Sequence, residues 1–546
     1  MKPMRRIYKT KIEICFDRLL TDAENDFFPD PINYRDLRLY KKEIVAHVIA
    51  DLKRTFHAQE VFHSNYPYSD GDVPKSNFVI RHAICMHPID RIIYNYIVHR
   101  LIPFIEPKVS KARYSHRVEK KNFKRKYIFG KRWIKNWLDF RNDIKAFFEE
   151  NKEFNYLVST DIAGYFEYIH LVDFRKQIIE LCPKGSERDI IDLLYKFLKN
   201  FSPSHSGVSD SGIPQNYDSS SYLTSAFLDF LDKDLERNGY NLFRYVDDIK
   251  VACRDMKEAR KVIIHIIRSL RRYNLNLSTI KTEIWHKKSL EFKDFTQEFP
   301  EILDLANKAV NERKIDQINE YLPILIKDIK ELTKSRKKDF NERLFRAYIW
   351  RIVKFYWFKE INKVNLKSIG KKCLAFMEIY PGRSDTFLKF LLLEKDYKYV
   401  QDGILKIMKD CVYPWQEMHM WSLLIKASKI KNDELFVLAR DRVRDTNPYF
   451  EAARNYAILF LGKHGDYQDR QNIQSLYNQT QSFFTKRCIL IAIQEYSEKM
   501  QIYNRIMNYE DDMLLKSLVA YLKQRKDPEY VYEDKRIGSI EAIEYW

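Results

Sequence analysis

Residues 242–252 read Leu-Phe-Arg-Tyr-Val-Asp-Asp-Ile-Lys-Val-Ala, two short apolar runs with Asp247 and Asp248 side by side between them. Each run predicts a β-strand, and the acids then fall at the connection. Adjacent acids inside a strand would point to opposite faces and bury one of them, whereas a tight hairpin turn presents both at the rim. A second apolar run, Tyr156-Leu157-Val158, leads through Ser159-Thr160 to Asp161. A strand ending in one acid beside a hairpin carrying two gathers carboxylates that repel unless a divalent cation neutralises them. Two hard cations about 3.5–4 Å apart can activate an attacking hydroxyl and stabilise a leaving pyrophosphate, which is nucleotidyl-transfer chemistry. A bare Asp-Asp pair is far more often an ordinary turn, and a lone Asp after a strand a helix N-cap, so the reading rests on what accompanies them.

Four motifs follow in order: Asp161 with Phe166 five residues later, Gly212-Ile213-Pro214-Gln215-Asn216, Tyr245-Val246-Asp247-Asp248, and Lys281-Thr282. In that order they resemble the reverse transcriptase family over about residues 70–290. The resemblance implies Asp161, Asp247 and Asp248 as catalytic acids, and Asp161, Asp247 and Ile162 as the set that holds two Mg2+ or Mn2+ ions. It implies Phe166 as a bulky gate against a ribose 2′-hydroxyl, the Pro214-Gln215 turn as packing beside the incoming nucleotide, and Lys281 as approaching the leaving pyrophosphate. Lys75, Arg81 and Arg117 become candidates for the triphosphate, which needs cations near it. Asn216 stands where the family has a second glycine, a position Asn tolerates at positive φ. Pro214 rigidifies the turn, and Asp218 or Ser219 is expected to cap the next helix.

The chain has 546 residues, enough for about three or four domains. Residues 1–70 predict helices around an irregular insert at Asp26–Pro31, with a helix spanning Leu37–Phe56. Strands and amphipathic helices (about 171–200, 219–237 and 256–273) alternate from Tyr156 to Lys281. After about residue 290 only helices are predicted, at about 467–478, 481–495 and 510–524, with one starting at Asn447-Pro448. The fold class expected is α+β: an N-terminal helical segment (1–70), right-hand fingers and palm (71–290), then an all-α HEAT-like helical-repeat domain (291–546) in place of a thumb. The seven cysteines are scattered, none in a CxxC pair, which predicts free thiols in a reducing cytoplasm. No apolar stretch is long enough to span a membrane, and the N-terminus carries no apolar signal core.

A net charge of +19 suits a polyanionic partner without proving one. Between Arg117 and Lys135 lie nine cations, Lys121, Lys124, Arg125, Lys126, Lys131 and Arg132 among them, interleaved with Phe123, Tyr127, Phe129 and Trp133. Cations that track phosphates and rings that stack on bases suit strand contact, where a solvated helix face is the plain alternative. The long helical tail and the Asp26–Tyr34 block resemble the bacterial abortive-infection reverse transcriptases of phage defence. That resemblance implies synthesis from dNTPs without a template, started on a tyrosine of the protein, single-stranded DNA left covalently attached, and a homo-oligomer (trimer or hexamer). Among 36 tyrosines, Tyr8, Tyr34 and Tyr40 lie in the N-terminal segment and are the candidates. Two other readings stay open: a templated enzyme copying a noncoding RNA in a defence system, and an inactive nucleic-acid-binding scaffold.

Overall fold

The computed structural model describes residues 7–23, 26–57, 66, 68–75, 78–118, 133–182, 187–202, 210–296, 299–334 and 341–532. In chain order the elements to residue 296 are α1 (Lys9–Asp22), a 3-10 helix (Arg35–Tyr40), α2 (Lys41–His57), β1 (Ser69–Pro74), β2 (Ile80–Cys85), α3 (Pro88–Ile105), α4 (Trp133–Glu150) and β3 (Tyr156–Thr160). Then come α5 (Tyr165–Tyr168), α6 (Leu171–Leu181), α7 (Arg188–Lys199), α8 (Asp218–Phe227), α9 (Asp229–Arg237), β4 (Asn241–Tyr245), β5 (Asp248–Cys253), α10 (Met256–Arg271), β6 (Glu283–His286) and α11 (Leu290–Thr296). Helices alone follow among the described residues, from Glu301–Asn311 to Met513–Gln524. None is long and apolar enough to cross a membrane. By contact the chain divides into two units. One is Met1–Asp26, Lys41–Tyr68 and Met86–Glu298; the other is Phe27–Tyr40, Ser69–Cys85 and Phe299–Trp546.

The first unit is built on an antiparallel sheet of order β4-β5-β3-β6. Period-two alternation gives the sheet two faces. Leu157, Phe243 and Ala252 share one face, which α4 and α11 cover with Phe140, Ile144, Phe148 and Phe292. Val158, Ile249 and Val251 point the other way, where α10 packs with Ala259, Val262 and Ile266 buried. Helix α3 is buried nearly all round, from Ile89 to Ile105, among α1, α2, α7 and α8. Three expectations shift here. The helix predicted from Leu37 begins as a 3-10 turn and becomes α-helical at Lys41. The helix predicted over 171–200 is two, α6 and α7, with Pro183 and Gly185 in the sequence between them. Strand β6 and the β1–β2 hairpin were not foreseen, because four- to six-residue strands with little alternation carry a weak periodic signal.

The second unit packs the Phe27–Tyr40 segment and the β1–β2 hairpin with the helices after residue 299. Helices Glu342–Phe355, Ser384–Leu391, Pro414–Lys426, Glu451–His464, Phe483–Ala492 and Met513–Gln524 form a row, each packed on the next although one helix intervenes in sequence. The Asn447 side chain accepts from the Tyr449 N–H as expected, but Pro448–Phe450 is a 3-10 turn before the α-helix begins at Glu451. Arg487, 0% exposed, donates to Asp30 at 2.7 and 3.2 Å and to Asp36 at 3.0 and 2.8 Å. Its guanidinium also lies 5.1 Å from the Tyr34 ring centre. The carbonyls of Phe27 and Pro29 accept from Trp415 and Tyr456. A short, proline-rich segment is thereby fixed by helices some 400 residues away in sequence.

Candidate active site

Strands β4 and β5 pair with Tyr245 opposite Asp248, leaving Val246 and Asp247 as a two-residue loop. Val246 has φ +55°, and Asp247 is not among the residues of positive φ. A positive φ at the first loop residue alone is the pattern of a type II′ hairpin, where glycine normally sits. Fixed partners hold the valine in place. Its N–H donates to Ser115 Oγ at 2.9 Å, and its carbonyl accepts from Arg244 at 2.7 Å. Arg244 is itself 0% exposed; it is paired with Asp232 and donates to the Ser225 carbonyl at 3.0 Å. Ser115 Oγ is also 2.8 Å from Ser225 Oγ. Residues 112–114 run along the outer edge of β4, with Arg244 N–H on the Ala112 carbonyl and Tyr114 N–H on the Arg244 carbonyl, both at 2.9 Å.

Asp161 follows the last residue of β3, whose Thr160 pairs with Ile249 of β5. This register brings Asp161 to the end of the sheet where the hairpin turns, within electrostatic reach of the Asp247 carboxyl. Burial, and then the charge of Asp161, raise Asp247 to about 7. The loop after Asp161 is tied to the segment before β6. The Asp161 carbonyl accepts from Ser278 N–H at 2.8 Å, Ala163 N–H donates to Asn276 at 2.9 Å, Ile162 bridges Leu277, and Thr160 Oγ1 is 2.7 Å from Thr282 Oγ1. Lys281, of the Lys-Thr motif, donates from Nζ to Asp161. Asp248, the first residue of β5, is partly exposed, pairs with Lys250 and lies within electrostatic reach of Asp161, and burial raises its carboxyl against the opposing charge of Lys250.

Among the described residues no three His, Cys, Asp or Glu side chains form a ready metal cage. Mg2+ does not require one, since it is commonly held by one or two carboxylates completed by water and substrate phosphates. Asp161 and Asp247 meet that need: oxygen donors brought to one end of the sheet, where the charge of Asp161 opposes ionisation of Asp247 and a cation would favour it. A sheet-end pair of this kind, delivered by a strand and an adjoining Tyr-x-Asp-Asp hairpin, is a polymerase palm. Residues 73–299 match the family model for reverse transcriptase (RNA-dependent DNA polymerase). The chain carries a reverse transcriptase domain. Its activity is that of an RNA-directed DNA polymerase-like nucleotidyltransferase. No curated protein matches the chain.

Within the reverse transcriptase domain, the Phe166 carbonyl accepts from Ile213 N–H at 2.8 Å, which joins α5 to the Gly212–Asn216 turn. The Phe166 ring is half-buried, 5.6 Å from the Tyr165 ring; Pro214 is buried and Gln215 half-buried. Asn216 has φ +70°, so the turn keeps the backbone that the missing glycine would have given. Neither Asp218 nor Ser219 caps α8, contrary to expectation. Asp218 pairs with Asp22, and Ser219 donates to Asn95 Oδ1 at 2.7 Å, so tertiary partners outcompete the local backbone for both. Arg117 is engaged by Glu106 at 2.6 Å and by the carbonyls of Ser110 and Arg113 at 3.1 and 3.2 Å.

Lys75 and Arg81 lie at the β1–β2 hairpin of the second unit, Arg81 with its guanidinium 5.4 Å from the Phe27 ring. Of the tyrosine candidates, Tyr8 is half-buried beside Lys11 and Arg100, Tyr34 is 5% exposed with φ +51°, and Tyr40 is half-buried at the end of the 3-10 turn. The basic candidates Lys121, Lys124, Arg125, Lys126, Lys131 and Arg132 lie outside the described residues. Sequence reasoning missed Arg244, Asp232, Ser115 and Lys250. Ser115 stands two residues before the candidate Arg117, and the two buried cations look on paper like ordinary polar residues of alternating strands.

Proposed function

We propose that this protein builds DNA from deoxynucleoside triphosphates at Asp161 and Asp247, starting on a tyrosine of its own without a template, and that the activity serves phage defence of the abortive-infection kind. The observation that carries the chemistry is the strand register that brings Asp161 and the Asp247 loop to the same end of the palm sheet. Bound there with the substrate phosphates, two Mg2+ or Mn2+ ions would supply Lewis-acid activation of the attacking oxygen and charge stabilisation for the departing pyrophosphate. The Ile162 backbone adjoins the pair. The half-buried ring of Phe166 supports a gate that clashes with a ribose 2′-hydroxyl, and Lys281, two-thirds exposed, has the reach to turn from Asp161 to the triphosphate.

The finer part of the reading rests on the resemblance to abortive-infection enzymes. It is supported by the row of stacked helices, which is what a HEAT-like array of helix pairs would present. Tyr8 and Tyr40 are the better-placed priming candidates, because Tyr34 is buried under Arg487. In priming, the tyrosine oxygen attacks the α-phosphorus, the new phosphodiester forms, and the bond to pyrophosphate breaks. The enzyme then works as a homo-oligomer (trimer or hexamer) in the bacterial cytoplasm, with Lys121 to Arg132 as candidates for strand contact and Lys75, Arg81 and Arg117 as candidates for the triphosphate.

The test is purified protein with single dNTPs and Mn2+ or Mg2+, with and without RNA. DNA that stays with protein through phenol extraction until protease is added, and maps by mass spectrometry to one tyrosine, supports the proposal. A strict requirement for RNA supports templated copying instead. Asp247→Ala abolishes synthesis, a fall of at least about a thousandfold for loss of a metal-holding acid; synthesis that survives it places the chemistry elsewhere.

A further inference from the structure

Lys250 is 4% exposed in the middle of β5, on the sheet face that α4 and α11 cover. A lysine in such a place is rare unless its charge is met. Here it is met on every side. Nζ donates to Asp248 and, at 2.9 Å, to Ser159 Oγ, and it lies 5.2 Å from the Trp285 ring centre and 5.3 Å from that of Phe295. Asp248 and Lys250 are two apart on one strand and so share a face. The lysine thus takes up the charge of Asp248, which the register sets across from Asp161 and within electrostatic reach of it, while Asp161 and the Asp247 loop stand at the same end of the sheet.

We infer that Lys250 is a positioning residue of this site: it holds Asp248 out of the metal-holding set and leaves Asp161 and Asp247 as the carboxylate pair. The inference rests on the proposed metal-dependent reading of that pair. Removing the cation frees a third carboxylate next to two others, and divalent-ion affinity climbs with the charge and number of oxygen ligands. Replacing Asp248 alone takes away an acid that Lys250 already neutralises.

The experiment is Mn2+ binding to the full-length protein without nucleotide, followed by electron paramagnetic resonance of the free ion. Wild type and Asp248→Asn bind with the same stoichiometry and with affinities within about twofold, and Asp247→Asn loses binding. Lys250→Met binds about tenfold more tightly than wild type, and adding Asp248→Asn to it returns the affinity to the wild-type value. A lysine that only stabilises the fold would lower the unfolding midpoint in Lys250→Met and leave Mn2+ affinity alone, and that result overturns the inference. So does loss of Mn2+ by Asp248→Asn, a conservative change that reports even if Lys250→Met fails to fold. Absence of binding in wild type sinks the metal reading itself and the inference with it, an outcome distinguishable from the other two.

Discussion

A branched side chain at positive φ costs about 1–3 kcal/mol and persists only where its surroundings over-determine it. Val246 is such a residue, pinned through its N–H by Ser115 and through its carbonyl by Arg244. Val246→Gly relieves the strain while making the unfolded chain more flexible by about 0.5–1 kcal/mol, so a net gain of roughly 1 kcal/mol is expected in urea denaturation. A loss of stability would mean the valine is better packed than its backbone suggests. Next to it, Asp247 is raised to about 7 by burial and by Asp161. Its folded value lies above the ordinary value of about 3.9 for the unfolded chain, so between these limits the folded protein keeps a proton that the unfolded chain has released. In EDTA this group's contribution is most favourable below about pH 4, declines as pH rises, and is fully lost above about 7. The stability of wild type minus that of Asp247→Asn should therefore fall from pH 4 to 7; a flat difference would contradict the buried pair.

At the scale of elements, one buried cation ties the Asp30–Tyr40 segment to the helices after residue 299. Arg487 sits in the helix Phe483–Ala492 with no exposure and bonds both Asp30 and Asp36. Breaking a buried ion pair by removing one partner typically costs about 3–5 kcal/mol, because the remaining charge is stranded. Arg487→Met strands two carboxylates, and its unfolding free energy should drop by at least that range by chemical denaturation. A drop below about 1 kcal/mol would mean the acids find water instead. The sequence shows Asp30 and Asp36 in a proline-broken stretch and Arg487 in a predicted helix; nothing in either pattern links them, since a pairing across 457 residues has no local signature.

Across the whole molecule, the chain passes between its two units at residues 26–27, 40–41, 68–69, 85–86 and 298–299. The second unit is therefore incomplete without stretches that precede the palm. A fragment beginning at Phe299 lacks the partners of Arg487 and the carbonyls that receive Trp415 and Tyr456. It should melt at a lower temperature and over a broader range, by circular dichroism, than a chain in which residues 27–40 and 69–85 are supplied. Cooperative melting of the bare fragment at the full-length midpoint would show that the helical row suffices by itself.

What the sequence determined alone is the chemistry-bearing hairpin, the strand that delivers Asp161, and the helical character of the tail, because period-two and period-3.6 patterns and turn residues are local properties. That Asp161 and the Asp247 loop share one end of the sheet followed once those strands joined it. The tertiary structure decided what the acids and cations do with one another: Asp248 goes to Lys250, Arg117 to Glu106, and Asp218 to Asp22. It also decided that the β1–β2 hairpin belongs with the helices after residue 299. The reason is common to all of these. A buried charge takes whichever partner the fold brings within reach, and the cost of leaving it unpaired is far larger than any local preference written in the chain.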